Sequence, residues 1–251
     1  YSYFNNMNSS VAYIYGFLPT DFGRVSDAMM ESATDNSVYT WENNSIYYIT
    51  NGIWSPLKRV DDGWGFWDGV RSANLFLENF DPKVLERFQY NEDYDEMIDK
   101  ASKFSLEVRF LRAFYLFELA KRYGDIPLIT RTYTQEEINS VRKTSFADVI
   151  DFIAKECTEI TREGGLPEDG VRGETGRVTK GAALALKSRA LLYAASDLHN
   201  PAHDLTKWEA AAKAAYEVIK MNKYQLPNVS TDPLYSDLGG NEVLKSKQLI
   251  F

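Results

Sequence analysis

The sequence predicts an all-α protein of antiparallel helix pairs stacked into an α-α superhelix with long irregular loops. Three observations predict it. Apolar residues recur at i, i+3, i+4 and i+7 in at least six segments. The connections between most of these segments are short and several faces are rich in alanine. No stretch shows a strong strand-type alternation.

Val11, Ile14, Tyr15 and Leu18 mark a first short helix, stopped by Pro19. A second covers 64–80 and is closed by Asp81-Pro82. The longest spans about 91–123. It carries one stripe of Phe104, Val108, Leu111, Tyr115 and Leu119 and another of Phe110, Phe114 and Phe117. So wide an apolar surface needs neighbours on more than one side. Gly124 supplies a C-cap, and Asp125-Ile126-Pro127 turns the chain into a short extended Leu128-Ile129. The next helix holds Phe146, Val149, Ile150, Ile153, Cys157 and Ile160, opened by a Ser145/Asp148 capping signature. After a glycine-punctuated loop, residues 179–196 form an Ala-rich helix whose small side chains admit a close neighbour, and Asn200-Pro201 breaks it. Thr206 and Glu209 read as the cap of a final helix carrying Trp208, Ala212, Ala215 and Ile219. The pairs resemble tetratricopeptide repeats of about 34 residues, with an imperfect consensus.

With 251 residues, 44% of them hydrophobic, the chain can bury a full core as one large domain or a domain plus an appendage. Its net charge of −8 argues against general affinity for nucleic-acid phosphates. The longest apolar candidate, 182–195, is cut by Lys187 and Arg189 and is no membrane span. The single cysteine, Cys157, sits at an apolar helix position and reads as a small core residue. His199 and His203 are four apart, but Pro201 forbids the helix that would aim both at a metal, so a turn with solvated histidines is expected. The glycines of 170–181 match no phosphate-loop spacing, and the Asp21-Phe22-Gly23 triplet stands without any other kinase element. No carboxylate pair or nucleophile is singled out, so no enzyme activity, cofactor or metal is expected.

Residues 39–67 break the helical pattern. They hold eight aromatics in 29 positions, including four of the five Trp, interleaved with Asn43, Asn44, Ser45 and Asn51. A pyranose presents an apolar face of C–H groups to an aromatic ring and a rim of hydroxyls to polar side chains. The candidate ligand-binding residues are therefore Trp41, Asn43, Tyr47, Tyr48 and Trp54, which either stack on sugar or plug the loop onto the helices. Trp64 and Trp67 open a helix and are expected in the core. Arg109, Arg112, Arg122 and Asp125 are expected to make ion pairs and helix caps, as Glu118 with Arg122 would at i, i+4.

Two segments resemble the SusD/RagB family. One is Glu107-Val108-Arg109-Phe110-Leu111-Arg112-Ala113-Phe114-Tyr115 running on through Arg122-Tyr123-Gly124-Asp125-Ile126-Pro127. The other is Gly176-Arg177-Val178-Thr179-Lys180-Gly181-Ala182, ending in Tyr193-Ala194-Ala195-Ser196. The resemblance implies a lipid-anchored protein on the outer face of the outer membrane, partnered by a SusC-like TonB-dependent transporter. It implies glycan ligands, with RagB-like peptide binding as the alternative; a glycan-cleaving enzyme is a weaker reading from another class. Residues 1–251 would then be the N-terminal, tetratricopeptide-like region, with the lipidated cysteine and the family's C-terminal part missing. The start at Tyr1 and the apolar 248–251 stretch fit a fragment.

Overall fold

The computed structural model describes residues 2–20, 24–169 and 174–224. Outside them lie the Asp21-Phe22-Gly23 triplet, residues 170–173 of the glycine loop and the 248–251 stretch. The α-helices are α1 (Ser2–Tyr15), α2 (Tyr47–Thr50), α3 (Phe66–Asn79), α4 (Tyr94–Tyr123), α5 (Gln135–Ile138), α6 (Phe146–Ile160), α7 (Lys180–Ala195) and α8 (Leu205–Lys220). Extended pairing among the described residues is confined to isolated bridges, such as Ile126 with Thr144. The fold is all-α and tetratricopeptide-like. Helix α3 packs on α4, α4 on α6, α6 on α7 and α7 on α8, while α1 lies against α3 and α4.

Helix α4 is the centre. Both predicted stripes are buried apart from Phe114, which is half-buried and stacked near Phe110. Its ends suit the helix dipole, with Asp95 and Glu96 in the first turn and Lys121 and Arg122 in the last. Gly124 takes φ +68°, open only to glycine at low cost, and its N–H donates to the Ala120 carbonyl at 2.8 Å. At the start of α6, Ser145 Oγ accepts the Asp148 N–H at 3.2 Å, and Asp125 Oδ1 accepts the Phe146 N–H at 2.9 Å. Between α3 and α4 the fit is tight: a Cβ on Gly69 would lie 2.7 Å from the Tyr115 ring. Cys157 is fully buried in α6, and burial pushes its thiol up to about 12.

The structure corrects several expectations. Helix α1 begins at Ser2, because Phe4 and Met7 extend the Val11/Ile14 face through a polar run that hides the period. The cap of α8 is Asp204, not Thr206: Asp204 Oδ1 accepts the Thr206 N–H at 2.9 Å. The turn before it is organised by buried Asn200, which donates to the Asp204 carbonyl at 3.0 Å and accepts its N–H at 3.0 Å. His199 is not solvated but half-buried, stacked on Phe146 with ring centroids 3.6 Å apart. Partial desolvation and the nearby Lys207 charge hold its pKa below the usual histidine value. No helix among the described residues is long and apolar enough to cross a membrane.

Candidate functional site

The aromatic segment folds as a small cap with its own core. Val25, Ala28 and Ile46 are buried at its centre, and Tyr39, Tyr47, Ile49 and Val60 pack around them. Period-free sequence therefore still buries apolar groups, through turns instead of a long helix. The five sequence-predicted ligand residues divide accordingly. Trp41 and Trp54 are 71% and 65% exposed, and Asn43 is exposed beside them in sequence. Tyr47 and Tyr48 are half-buried. Tyr47 donates its hydroxyl to the Tyr39 carbonyl, so it serves the cap, while Lys58 Nζ sits 5.4 Å over the Tyr48 ring.

An ion-pair cluster fastens this cap to the end of α4. Asp61 accepts from Arg24 at 3.0 Å and from Arg122 at 2.6 Å, and Arg122 also reaches Glu118 at 2.7 Å. Lys121 closes on Glu118 at 2.6 Å. Burial opposes ionisation of Glu118, yet hydrogen bonds from Arg122 and Lys121 outweigh it and hold the carboxyl below the usual range. Arg122 is thus structural, as its spacing from Glu118 suggests. So are the others of that set: Arg109 bonds Glu156 and Glu159 at 2.7 Å each, and Arg112 reaches Glu156 at 3.2 Å.

Away from the cap, an open cleft of ≈ 800 Å³ lies between α3 and the strap of residues 125–143. Two buried side chains pin that strap by its backbone. Asn74 of α3 donates to the Ile129 and Arg131 carbonyls at 3.1 and 3.2 Å. Arg112 of α4 donates to the Thr130 carbonyl at 3.0 Å and to Asn74 Oδ1 at 2.9 Å. Glu78 takes the Thr132 N–H and hydroxyl at 2.6 Å each, and a Thr134/Glu137 capping box then starts α5. The cleft is held open by bonds made below it.

Its walls are aromatic and aliphatic: Trp64, Trp67, Tyr123 and Tyr133, with Val70 and Pro127 between them. Trp64 is not a core residue. It precedes α3 and is 59% exposed, its indole set edge-on to Tyr123 at 6.0 Å. Trp67 is half-buried on the core. None of Trp41, Asn43, Tyr47, Tyr48 and Trp54 lines this cleft. Sequence reasoning missed it because its walls lie more than 50 positions apart and meet through the tertiary hydrogen bonds of Asn74, Arg112 and Glu78. The local signal was there in Gly63-Trp64-Gly65, a Trp between two glycines. Gly63 takes φ +62°, and a Cβ there would lie 2.9 Å from the Arg122 side chain.

The buried carboxylates Glu107, Glu118 and Glu156 each meet a cation. Glu107 meets Arg177 at 3.3 Å and accepts the Tyr15 hydroxyl at 2.6 Å; burial raises its pKa. Asp125, the carboxylate in the cleft lining, holds the α6 N-terminus. No group of three or more potential metal ligands occurs among the described residues.

The exposed aromatic groups of this tetratricopeptide-like stack thus gather in two places, the cap and the open cleft. Residues 21–192 match the SusD-like family described as starch-binding and associating with the outer membrane, and the chain belongs to that family. It is similar to a SusD-like protein from Bacteroides fragilis at 27% identity and TM-score 0.74, over 98% of this chain and 43% of that one. A SusD-like carbohydrate-binding protein of the same species shares 25% identity and TM-score 0.64, over 88% and 41%. In fold it also matches surface glycan-binding protein A from Bacteroides thetaiotaomicron, solved with laminarihexaose, at 17% identity and TM-score 0.64, over 98% and 48%. The chain spans less than half the length of each of these three structures. No curated protein matches it.

Proposed function

We propose that the chain captures oligosaccharide at the surface of the outer membrane, held there by a lipid anchor, and passes it uncleaved to a SusC-like TonB-dependent transporter. The observation that carries this reading is the cleft in which the exposed Trp64 indole and the Trp67 ring border ≈ 800 Å³ of open space. Large exposed indoles are costly on a surface unless something covers them, and sugar C–H faces suit them. Trp41, Asn43, Tyr48 and Trp54 add further sugar contacts on the cap, which Tyr47 helps to hold through its bond to the Tyr39 carbonyl. The carbohydrate-binding and laminarihexaose-bound relatives favour glycan as the ligand class. Capture without cleavage is supported by the buried carboxylates Glu107, Glu118 and Glu156, each engaged by a cation, and by Asp125 in the cleft lining, which holds a helix N-terminus.

Titration of the chain with soluble polysaccharides tests the reading, with melting temperature and reducing-end release measured on the same samples. Trp64→Ala should weaken binding by roughly thirtyfold, about 2 kcal/mol, at an unchanged melting temperature. Trp41→Ala and Trp54→Ala should weaken it less if the cleft is the main site. Normal binding by all three variants, or tight binding only to peptides, refutes it. Release of new reducing ends would refute capture without cleavage.

A further inference from the structure

The cleft carries a charge pattern opposite to that of the chain. The protein as a whole has a net charge of −8. Yet the cleft lining holds Arg71, Arg131 and Lys143 against the single carboxylate of Asp125. Asp125 is committed to the Phe146 N–H at 2.9 Å. Arg131 is partly answered: it pairs with Glu137 at 2.9 Å and lies 3.9 Å over the Tyr133 ring. Arg71 and Lys143 differ. Both are exposed, and neither has an ion pair or side-chain hydrogen bond among the described residues. They come from opposite walls, Arg71 from α3 and Lys143 from the far end of the strap.

Building on the glycan-capture reading above, we propose that this cleft is a site for acidic oligosaccharide, a pyranose chain bearing carboxylate or sulfate groups. Trp64 and Trp67 take the apolar ring faces. The planar Arg71 guanidinium takes a carboxylate or sulfate in a forked, charge-assisted pair, and the Lys143 ammonium holds a second anion as a point charge. An overall acidic protein repels polyanions at long range, so attraction has to arise locally. That separates a built site from general stickiness.

Affinity electrophoresis and calorimetric titration of the chain against laminarin, polygalacturonate and chondroitin sulfate decide the matter. The acidic polymers should bind at least about tenfold tighter than laminarin. Arg71→Gln/Lys143→Gln should lose at least about tenfold on the acidic polymers, the size of a lost charge-assisted bond, and stay within about twofold on laminarin. Raising NaCl from about 0.05 to 0.5 M should weaken acidic binding selectively. Both substitutions are at the surface, and an unchanged melting temperature confirms that the variant is folded. Polygalacturonate and chondroitin sulfate separate carboxylate from sulfate preference. Equal affinity for neutral and acidic polymers, or acidic binding indifferent to the double substitution, overturns the acidic site. If laminarin binding still depends on Trp64 in that case, glycan capture stands without it. Failure of every polysaccharide to bind removes both.

Discussion

At the scale of single residues, a few buried polar side chains do more for the cleft than the residues that face into it. Asn74 is the clearest. Its amide satisfies two strap carbonyls and its carbonyl oxygen takes the Arg112 guanidinium, all away from water. Asn74→Ala should therefore cost about 2–3 kcal/mol, since it leaves buried partners unmet instead of removing a matched pair. Chemical denaturation measures this, and a midpoint equal to wild type would show that water replaces the amide. Leu111→Ala should cost about 2–5 kcal/mol, because the side chain is fully enclosed in α4. Phe114→Ala should cost less than Leu111→Ala: the ring is half-buried, although its stripe position suggests full enclosure. Equal losses for the two would contradict that ranking. Gly69 adds a steric test. A methyl there meets the buried Tyr115 ring between α3 and α4, so Gly69→Ala should destabilise despite the better helix propensity of alanine.

At the scale of elements, the aromatic cap is joined to the helical stack by charge as well as by packing, and the join responds to acid. Glu118 is held below its ordinary pKa by Arg122 and Lys121 against the opposing effect of burial. Glu156, bound by Arg109 and Arg112 between α4 and α6, is likewise held low against burial. A carboxyl depressed in the folded state stabilises it fully above the unfolded value, near 4.3, and that stability is lost as pH falls through the folded value. Glu107, raised by burial, has the opposite sign and partly offsets the trend. Melting temperature should thus fall as pH drops below about 4.3, and Glu118→Gln should flatten that fall while lowering stability at neutral pH. A variant with the wild-type acid slope would disprove the join. The same elements show what a linear sequence can convey. The periods of α3, α4, α6 and α7 were legible because each buries a face along its own length; in α8 the expected stripe of Trp208, Ala212, Ala215 and Ile219 is largely exposed, and Ala211 and Ala214 make the buried face instead. The Glu118–Arg122 pair was legible because i, i+4 spacing is local. The cap core of Val25, Ala28 and Ile46 was not, since it closes through turns without a repeating period. The cleft was illegible for a stronger reason: its two walls meet through tertiary hydrogen bonds. Its Trp residues and the Tyr123–Pro127 turn stand out in the sequence, but nothing local shows that they share one opening.

At the scale of the whole molecule, the stack has a centre and an end. Helix α4 is enclosed by α1, α3, α6 and α7, and most of its residues from Phe104 to Ala120 are buried. Helix α8 packs along α7, with Ala211 and Ala214 buried in the contact. Its opposite face keeps Leu205, Trp208, Tyr216 and Ile219 exposed, at a helical spacing that forms a stripe. In stacked repeats each unit is stabilised mainly by its immediate neighbours, so a unit covered on one side opens at lower free energy than one covered on several. Native-state hydrogen exchange should place the α4 amides in the class that exchanges only on global unfolding. The α8 amides should exchange through a smaller, local opening whose free energy changes little with denaturant. The cap should fall between them, because its small core is separate from the main one but tied to α4 by Asp61 and Arg122. Acidifying the sample should then move the cap, and not α8, toward faster opening, after correction for the intrinsic pH dependence of exchange. Protection of α8 equal to that of α4 would mean that the small Ala211/Ala214 contact couples the last helix to the core as firmly as four-sided burial does. The one-dimensional view of this stack would then be wrong.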